Sequence, residues 1–256
     1  MTGNEKRNKK RYARRVRKRQ RKRDEQVGGY DDIGRVIHPD ALFDAFHACE
    51  KGVAWKASTQ KCHYNLLFEI SDSYEALSLR KSIQKGYYCF DLMERGKKRN
   101  ISSVHITERF VQRSLCDNAL MPVCGRSILY SNCASIQGAG IKRSEQVLVK
   151  QLRKYYKKNK NNGYIVLFDA KSYFESIPHK VIIADMANLF YDPDIIRLYQ
   201  ELTNSFDTIH PAWQKGRGLG LGSQSSQISG VMASNTIDHF FAEMFPLGYG
   251  NGRFMD

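Results

Sequence analysis

IVLFDAKSYFESIPH, from Ile165 to His179, and GRFMD, from Gly252 to Asp256, decide the fold that this sequence predicts. In both segments an apolar run too short for a helix delivers an aspartate at its end, which is typical of a buried strand. We therefore predict two neighbouring central strands, which end at Asp169 and Asp256. Two-metal phosphoryl transfer needs carboxylates from adjacent backbone segments. The two aspartates are thus candidate catalytic and metal-binding residues.

A third segment, RGLGLGSQSSQISGVMASNTIDHFF from Arg217 to Phe241, joins a glycine-rich loop to a helical pattern. Glycine allows the backbone to approach a ligand closely, and a helix N-terminus presents free N–H groups to polar or anionic atoms. Gly222, Ser226 and Gln227 lie at this junction and are candidate binding residues. For Gly222 and Gln227, helix packing is the alternative.

These three segments resemble the palm motifs of the reverse transcriptases of bacteria and their mobile elements. Ser226 and Gln227 match the Ser-Gln pair of bacterial retroelement and diversity-generating enzymes, whereas Gly220 and Leu221 replace the usual proline and glutamine. The stretch from Glu94 to Leu148 resembles the fingers of the same family. The subgroup stays open among group II intron, retron, diversity-generating and phage-defence enzymes.

The resemblance implies an α+β fold with the fingers and a partial palm of a right-hand polymerase. Residues 1–29 would be a basic, disordered tail, residues 30–160 the fingers, and residues 161–256 a partial palm without a thumb. The palm would be a ferredoxin-like sheet with helices on one face. The family has two consecutive aspartates where this sequence stops at Asp256. We therefore expect a catalytic motif that is cut short, and an inactive fragment of an active parent.

The resemblance also implies the activity, which is transfer of dNTPs to the 3′-hydroxyl of a DNA or RNA primer on an RNA template. Asp169, the backbone carbonyl of Ala170, and Asp256 would hold Mg²⁺ or Mn²⁺. Phe174 would be the aromatic gate that excludes the ribose 2′-hydroxyl. From the residues alone, Asp169 could instead cap a turn and Phe174 could be a core aromatic. The residues implied in nucleotide or template contact are Lys97, Arg99, Phe174, Gly222, Ser226 and Gln227.

The charge of the chain is concentrated at its start. The net charge is +15, and residues 1–23 hold thirteen Lys and Arg against Glu5 alone. Like charges oppose folding of this tail in isolation, and such arms usually bind nucleic acid. A solubilising tail is the alternative. A noncatalytic RNA-binding protein derived from a reverse transcriptase is therefore the second functional hypothesis.

No apolar run is long enough to span a bilayer or to form a signal-peptide core, so we expect a cytoplasmic protein with no membrane partner.

Periodicity predicts where the helices and strands lie. Strands are expected at 87–94 and 100–106, with a basic turn at 96–99 between them. Helices are expected at about 38–52, 64–84, 108–121, 144–156, from Pro178, at 191–206 and after the glycine-rich loop.

Overall fold

The computed structural model describes residues 3–94, 96–136, 138–208, 215–244 and 250–254, and it shows an α+β fold that is mostly helical. Within these residues the sheet is one antiparallel hairpin of two strands, β1 (Tyr87–Glu94) and β2 (Lys97–Val104). The helices are α1 (Gly3–Val27), α2 (Ile33–Ile37), α3 (Pro39–Glu50), α4 (Ala57–Tyr64), α5 (Leu66–Ser78), α6 (Ile106–Leu115), α7 (Met121–Cys124), α8 (Ile141–Asn159), α9 (Tyr173–Ser176), α10 (His179–Leu189), α11 (Pro193–Asn204), α12 (Gln224–Ala233) and α13 (Asn235–Met244).

Local signals explain several of these boundaries. Pro39 begins α3 and Pro193 begins α11, since proline at the first helical position loses no intrahelical hydrogen bond. The carboxylate of Asp192 caps α11 by accepting a 2.8 Å hydrogen bond from the backbone N–H of Asp194. The helices expected at these two places are confirmed.

The first strand of the hairpin is confirmed, and the second begins three residues earlier and ends two residues earlier than expected. Tyr87 pairs with Val104, and Glu94 pairs with Lys97. The basic residues expected in the connecting turn therefore begin β2, because the antiparallel ladder continues to Lys97. The exposed Lys98 pairs with Asp91 at 2.9 Å across the two strands.

The core surrounds α6, whose Phe110, Val111 and Leu115 are completely buried. Phe110 meets Phe46 of α3 edge to face, with ring centroids 6.3 Å apart. On the other side of α6, α11 and α12 join the same core through side chains such as Tyr199, whose hydroxyl lies 2.6 Å from that of Ser229. One continuous core thus joins residues on both sides of the predicted boundary at residue 160.

The predicted disordered tail is helical over the residues described, as α1. Lys, Arg, Gln and Glu favour a helix, and neither Gly nor Pro interrupts residues 4–27. The end of α1 is also anchored. Val27 is buried in the core, and Arg126 Nη1 donates to the backbone oxygens of Glu25 at 2.7 Å and Gln26 at 2.6 Å. Tertiary contacts at one end therefore offset the repulsion of like charges.

Arg23 makes the second anchor of α1. Its guanidinium donates to the carbonyl oxygens of Leu189 at 3.0 Å and Ala187 at 3.1 Å, and to that of Phe190, at the end of α10. It also lies 3.6 Å from the ring centroid of Tyr191. A cation at a helix C-terminus satisfies the last carbonyls and interacts favourably with the helix dipole.

Among the helices described, none combines the length and the apolar character that a bilayer span requires.

Candidate functional site

Backbone hydrogen bonds join the glycine-rich loop, residues 217–222, to two other segments of the chain. Gly218 N donates to Ile177 O and Leu219 N donates to Phe174 O, each at 2.9 Å. On the other side, Ser102 N of β2 donates to Leu221 O, also at 2.9 Å. The loop therefore connects the segment that follows Asp169 to the basic hairpin.

Gly222 must be glycine for two reasons. Its φ of +117° lies in the left-handed region, which side chains disfavour. A β carbon there would also lie 3.2 Å from Ile101 Cγ2 and 3.3 Å from Ser102 O of β2. We predicted that the backbone at Gly222 would approach a ligand closely. Within the described residues, it approaches β2 of the hairpin closely.

Helix α12 begins directly after the loop with a network of serine hydroxyls. Ser223 caps the helix by accepting from the N–H of Ser226 at 3.1 Å, and its hydroxyl lies 2.7 Å from that of Ser226. Ser226 is buried, whereas Gln227 is exposed. Of these two predicted binding residues, Gln227 faces the solvent and Ser226 holds the end of the helix.

An open cavity of about 1120 Å³ lies beside this helix end. Arg113 pairs with Asp117, one turn further along the chain. Asp117 Oδ1 also accepts a 3.1 Å hydrogen bond from Gln224 Nε2 of α12. The cavity can therefore offer the exposed amide of Gln227, a helix N-terminus and an Arg113–Asp117 ion pair to a polar ligand. Its wall includes Arg113, Asp117, Gly222, Gln224, Gln227 and Phe254.

Four of these wall residues, Arg113, Asp117, Gln224 and Phe254, were not predicted as site residues from the sequence. The available signal was the Arg–Asp spacing of four residues on a predicted helix, which brings the two side chains to one face. The approach of α12 to that face is a tertiary contact, and no local pattern indicates it.

The apolar run before Asp169 is not a strand, so the prediction of a buried central strand is wrong here. Residues 162–170 have no regular secondary structure and are exposed, as is Asp169 itself. Tyr164 is 98% and Leu167 90% exposed. Phe168 stacks on Phe241 with ring centroids 6.1 Å apart. A strand requires hydrogen-bonding partners on its neighbours, and no described segment pairs with this one.

The GRFMD segment pairs elsewhere. Arg253 N donates to Ser131 O at 3.2 Å, and Cys133 N donates to Arg253 O at 2.9 Å. The guanidinium of Arg253 donates from Nη2 to Val231 O at 2.8 Å and lies 3.0 Å from Asp238 Oδ2. The predicted pairing of this segment with the strand ending at Asp169 is therefore absent from the described residues, and with it the predicted palm sheet.

The predicted metal site is described only in part. Asp169 and Ala170 are exposed, and Asp256 lies outside the described residues. In the part of the chain that the structure covers, no group of three His, Cys, Asp or Glu side chains could hold a metal ion. The described residues thus do not by themselves form the expected Mg²⁺ site.

Phe174 lies between the glycine-rich loop and α12. It is half-buried and packs against a small apolar cluster that includes Ile177 and Leu219. A β carbon at Gly230 of α12 would lie 3.0 Å from Phe174 Cε1. The neighbouring Tyr173 donates to Gly230 O at 2.6 Å. These contacts fix the ring, and they suit both a core aromatic and a rigid gate.

The predicted phosphate-binding residues Lys97 and Arg99 are both in β2. Arg99 is half-buried and pairs in register with Leu92 of β1. The following residues, Ile101 and Ser102, contact the glycine-rich loop. The basic hairpin and the loop, which are far apart in the sequence, therefore meet in one place.

No family model matches the chain, and no curated protein matches it significantly.

Proposed function

We propose that the chain is the fingers and part of the palm of a reverse transcriptase, which transfers dNTPs to a primer 3′-hydroxyl on an RNA template. One observation carries the proposal. The glycine-rich loop is hydrogen-bonded to β2 of the basic hairpin and starts α12 beside an open cavity. The sequence resemblance assigns these two segments to nucleotide and template binding, and the fold brings them together.

The chemistry of the cavity supports the same proposal. Arg113, which is paired with Asp117, has further guanidinium donors that suit phosphate oxygens, and Gln227 supplies an exposed amide. In this proposal Lys97, Arg99, Gly222 and Gln227 contact nucleotide or template. Asp169, Ala170 and Asp256 hold Mg²⁺ or Mn²⁺, ions that prefer hard oxygen ligands.

A primer-extension assay of the full-length gene product tests the proposal. The template is poly(A) RNA, the primer is oligo(dT), and the reaction contains dTTP with Mg²⁺ or Mn²⁺. We expect incorporation that requires template, primer and metal. A reaction without template is the control, and RNA binding without any incorporation would contradict the proposal.

The second candidate is a noncatalytic RNA-binding protein. The exposed, irregular segment that carries Asp169 favours it, since a catalytic carboxylate needs a fixed position. The exposed basic residues of α1, such as Arg11, Arg14 and Lys18, also favour it because they can bind RNA without any catalytic site. The primer-extension assay separates the two candidates.

A further inference from the structure

Helix α8 is long and makes few contacts with the rest of the described chain. Of its nineteen residues only Val147 is buried. Few contacts hold it: Gln151 Nε2 donates to Asn251 O at 2.7 Å, and Arg143 Nη2 donates to Tyr130 O at 2.9 Å. Most of its surface therefore faces the solvent.

Helix α8 is strongly basic. It carries seven Lys and Arg against Glu145 alone, a net charge of +6. Residues 24–256 together carry only +3. Residues 24–256 without α8 would therefore have a net negative charge. The net positive charge of this part of the chain comes from α8.

Four of these cations form one surface, which we call the α8 basic face. Lys150, Arg153, Lys154 and Lys157 are all exposed and line a shallow groove of about 550 Å³, whose lining also includes Glu145. Their spacing of three and four residues places them on one side of the helix. Among the residues that the structure describes, no carboxylate forms an ion pair with any of the four. The charge of the face is thus available to a partner.

We propose that the α8 basic face binds the phosphate backbone of RNA, at a surface additional to α1 and to the cavity beside α12. With a rise of about 1.5 Å per residue, the face extends about 10 Å along the helix. Each strand of a B-form duplex carries one phosphate per about 3.4 Å of its axis, so phosphates at that spacing or somewhat wider can meet more than one of the four cations. The choice of RNA as the partner rests on the proposed function.

An anionic membrane is the alternative partner of the α8 basic face. Of the exposed apolar residues of α8, Ile141, Leu148 and Leu152 lie about half a turn around the helix from the basic face, whereas Val149 lines the groove itself. Helices that lie on anionic membranes also carry cations on the face opposite their apolar residues, so binding to vesicles is measured below as well. A phosphate backbone requires the cations alone.

The test compares two variants of the full chain that lose the same charge. One replaces the face, as Lys150→Gln, Arg153→Gln, Lys154→Gln and Lys157→Gln. The matched control replaces four dispersed, exposed lysines, as Lys51→Gln, Lys61→Gln, Lys81→Gln and Lys180→Gln. Affinity for a 20-nucleotide single-stranded RNA is measured against salt concentration.

For single strands the slope of log affinity against log salt is about −0.7 for each phosphate neutralised. We expect the face variant to have a slope smaller in magnitude by about 2 to 3, with at least about tenfold weaker binding at low salt. The control should change the slope by less than about 1. Equal changes in the two variants would overturn the proposal, because only overall charge would then matter.

Two further measurements test whether the four cations contact phosphate and whether the partner is RNA or a membrane. A variant with Lys150→Arg, Lys154→Arg and Lys157→Arg keeps the charge and should keep the wild-type slope; a loss in this variant would contradict a phosphate contact. Vesicles with a quarter phosphatidylserine test the membrane alternative. If the face variant loses vesicle binding and keeps its RNA affinity, the proposal is wrong. Because only binding is measured, failure of the polymerase proposal would be seen separately in primer extension.

Discussion

Gly230 of α12 lies directly against the ring of Phe174, so that a β carbon at Gly230 would be 3.0 Å from Phe174 Cε1 and 3.3 Å from Cζ. The space that glycine leaves in the helix is filled by the aromatic ring. This contact joins α12, which follows the glycine-rich loop, to the residue predicted as the gate.

Gly230→Ala should therefore destabilise the fold by overpacking. Overpacking costs about 1–3 kcal/mol and the helix propensity of alanine returns about 1 kcal/mol, so we expect a net loss of up to about 2 kcal/mol in the free energy of unfolding, measured by urea denaturation. The matched control is Gly29→Ala, since no atom lies within 4 Å of a β carbon there and its φ is −88°. That change should stay within about 0.5 kcal/mol. Adding Phe174→Leu to Gly230→Ala should recover part of the loss; an additive double variant would show that the two residues do not interact.

Phe174→Ala should weaken the discrimination between dNTPs and rNTPs, because the bulk of the ring would exclude the 2′-hydroxyl. We expect the ratio of the two kcat/KM values to fall on the order of tenfold or more, measured by single-nucleotide primer extension. Unchanged selectivity in a variant that still polymerises would identify Phe174 as a core aromatic only.

Arg253→Met should destabilise the protein in a pH-dependent way. Arg253 and Asp238 are 17% and 13% exposed and pair at 3.0 Å. Burial raises the pKa of Asp238, and Arg253 opposes that effect. Without Arg253 the buried carboxylate is unpaired, and we expect a loss of about 1–3 kcal/mol at pH 7.

The sign of the pH effect follows from the raised pKa of Asp238. A carboxyl group with a raised native pKa favours the folded state at low pH and loses that contribution as pH rises. The loss of unfolding free energy in Arg253→Met should therefore become smaller as the pH falls from 7 to 4.5. Adding Asp238→Asn to Arg253→Met should also reduce this loss. Lys98→Met, which breaks the exposed pair with Asp91, is the control and should cost less than about 1 kcal/mol. A deficit that is independent of pH would contradict this account.

Local signals in the sequence predict the helices better than the sheet. Pro39 and Pro193 indicate where α3 and α11 begin, and the glycines before Ser223 indicate the start of α12. The run ending at Asp169 has the composition of a strand, yet a strand also needs a hydrogen-bonding partner, and the one expected here lies far away in the sequence. Arg253, in the expected partner, is bound to Ser131 and Cys133 instead.

The cavity could be predicted only in part for the same reason. Gly222 and Gln227 belong to a recognisable loop and helix, whereas Arg113 and Asp117 come from a distant helix. Likewise, the charge of residues 1–23 predicts a disordered tail. The structure has a helix there, which is held by hydrogen bonds from Arg23 to carbonyl oxygens at the end of α10. Contacts between distant segments decide these features.

The most direct test of the proposed function is Asp169→Asn in primer extension by the full-length gene product. Loss of a metal-binding carboxylate should lower kcat on the order of 10³-fold or more, with the thermal unfolding midpoint unchanged because Asp169 is exposed. Asp44→Asn, the same change at an exposed position of α3, is the matched control and should keep wild-type activity. A near-normal rate in Asp169→Asn would contradict the metal-binding role of Asp169 and, with it, the proposed polymerase site.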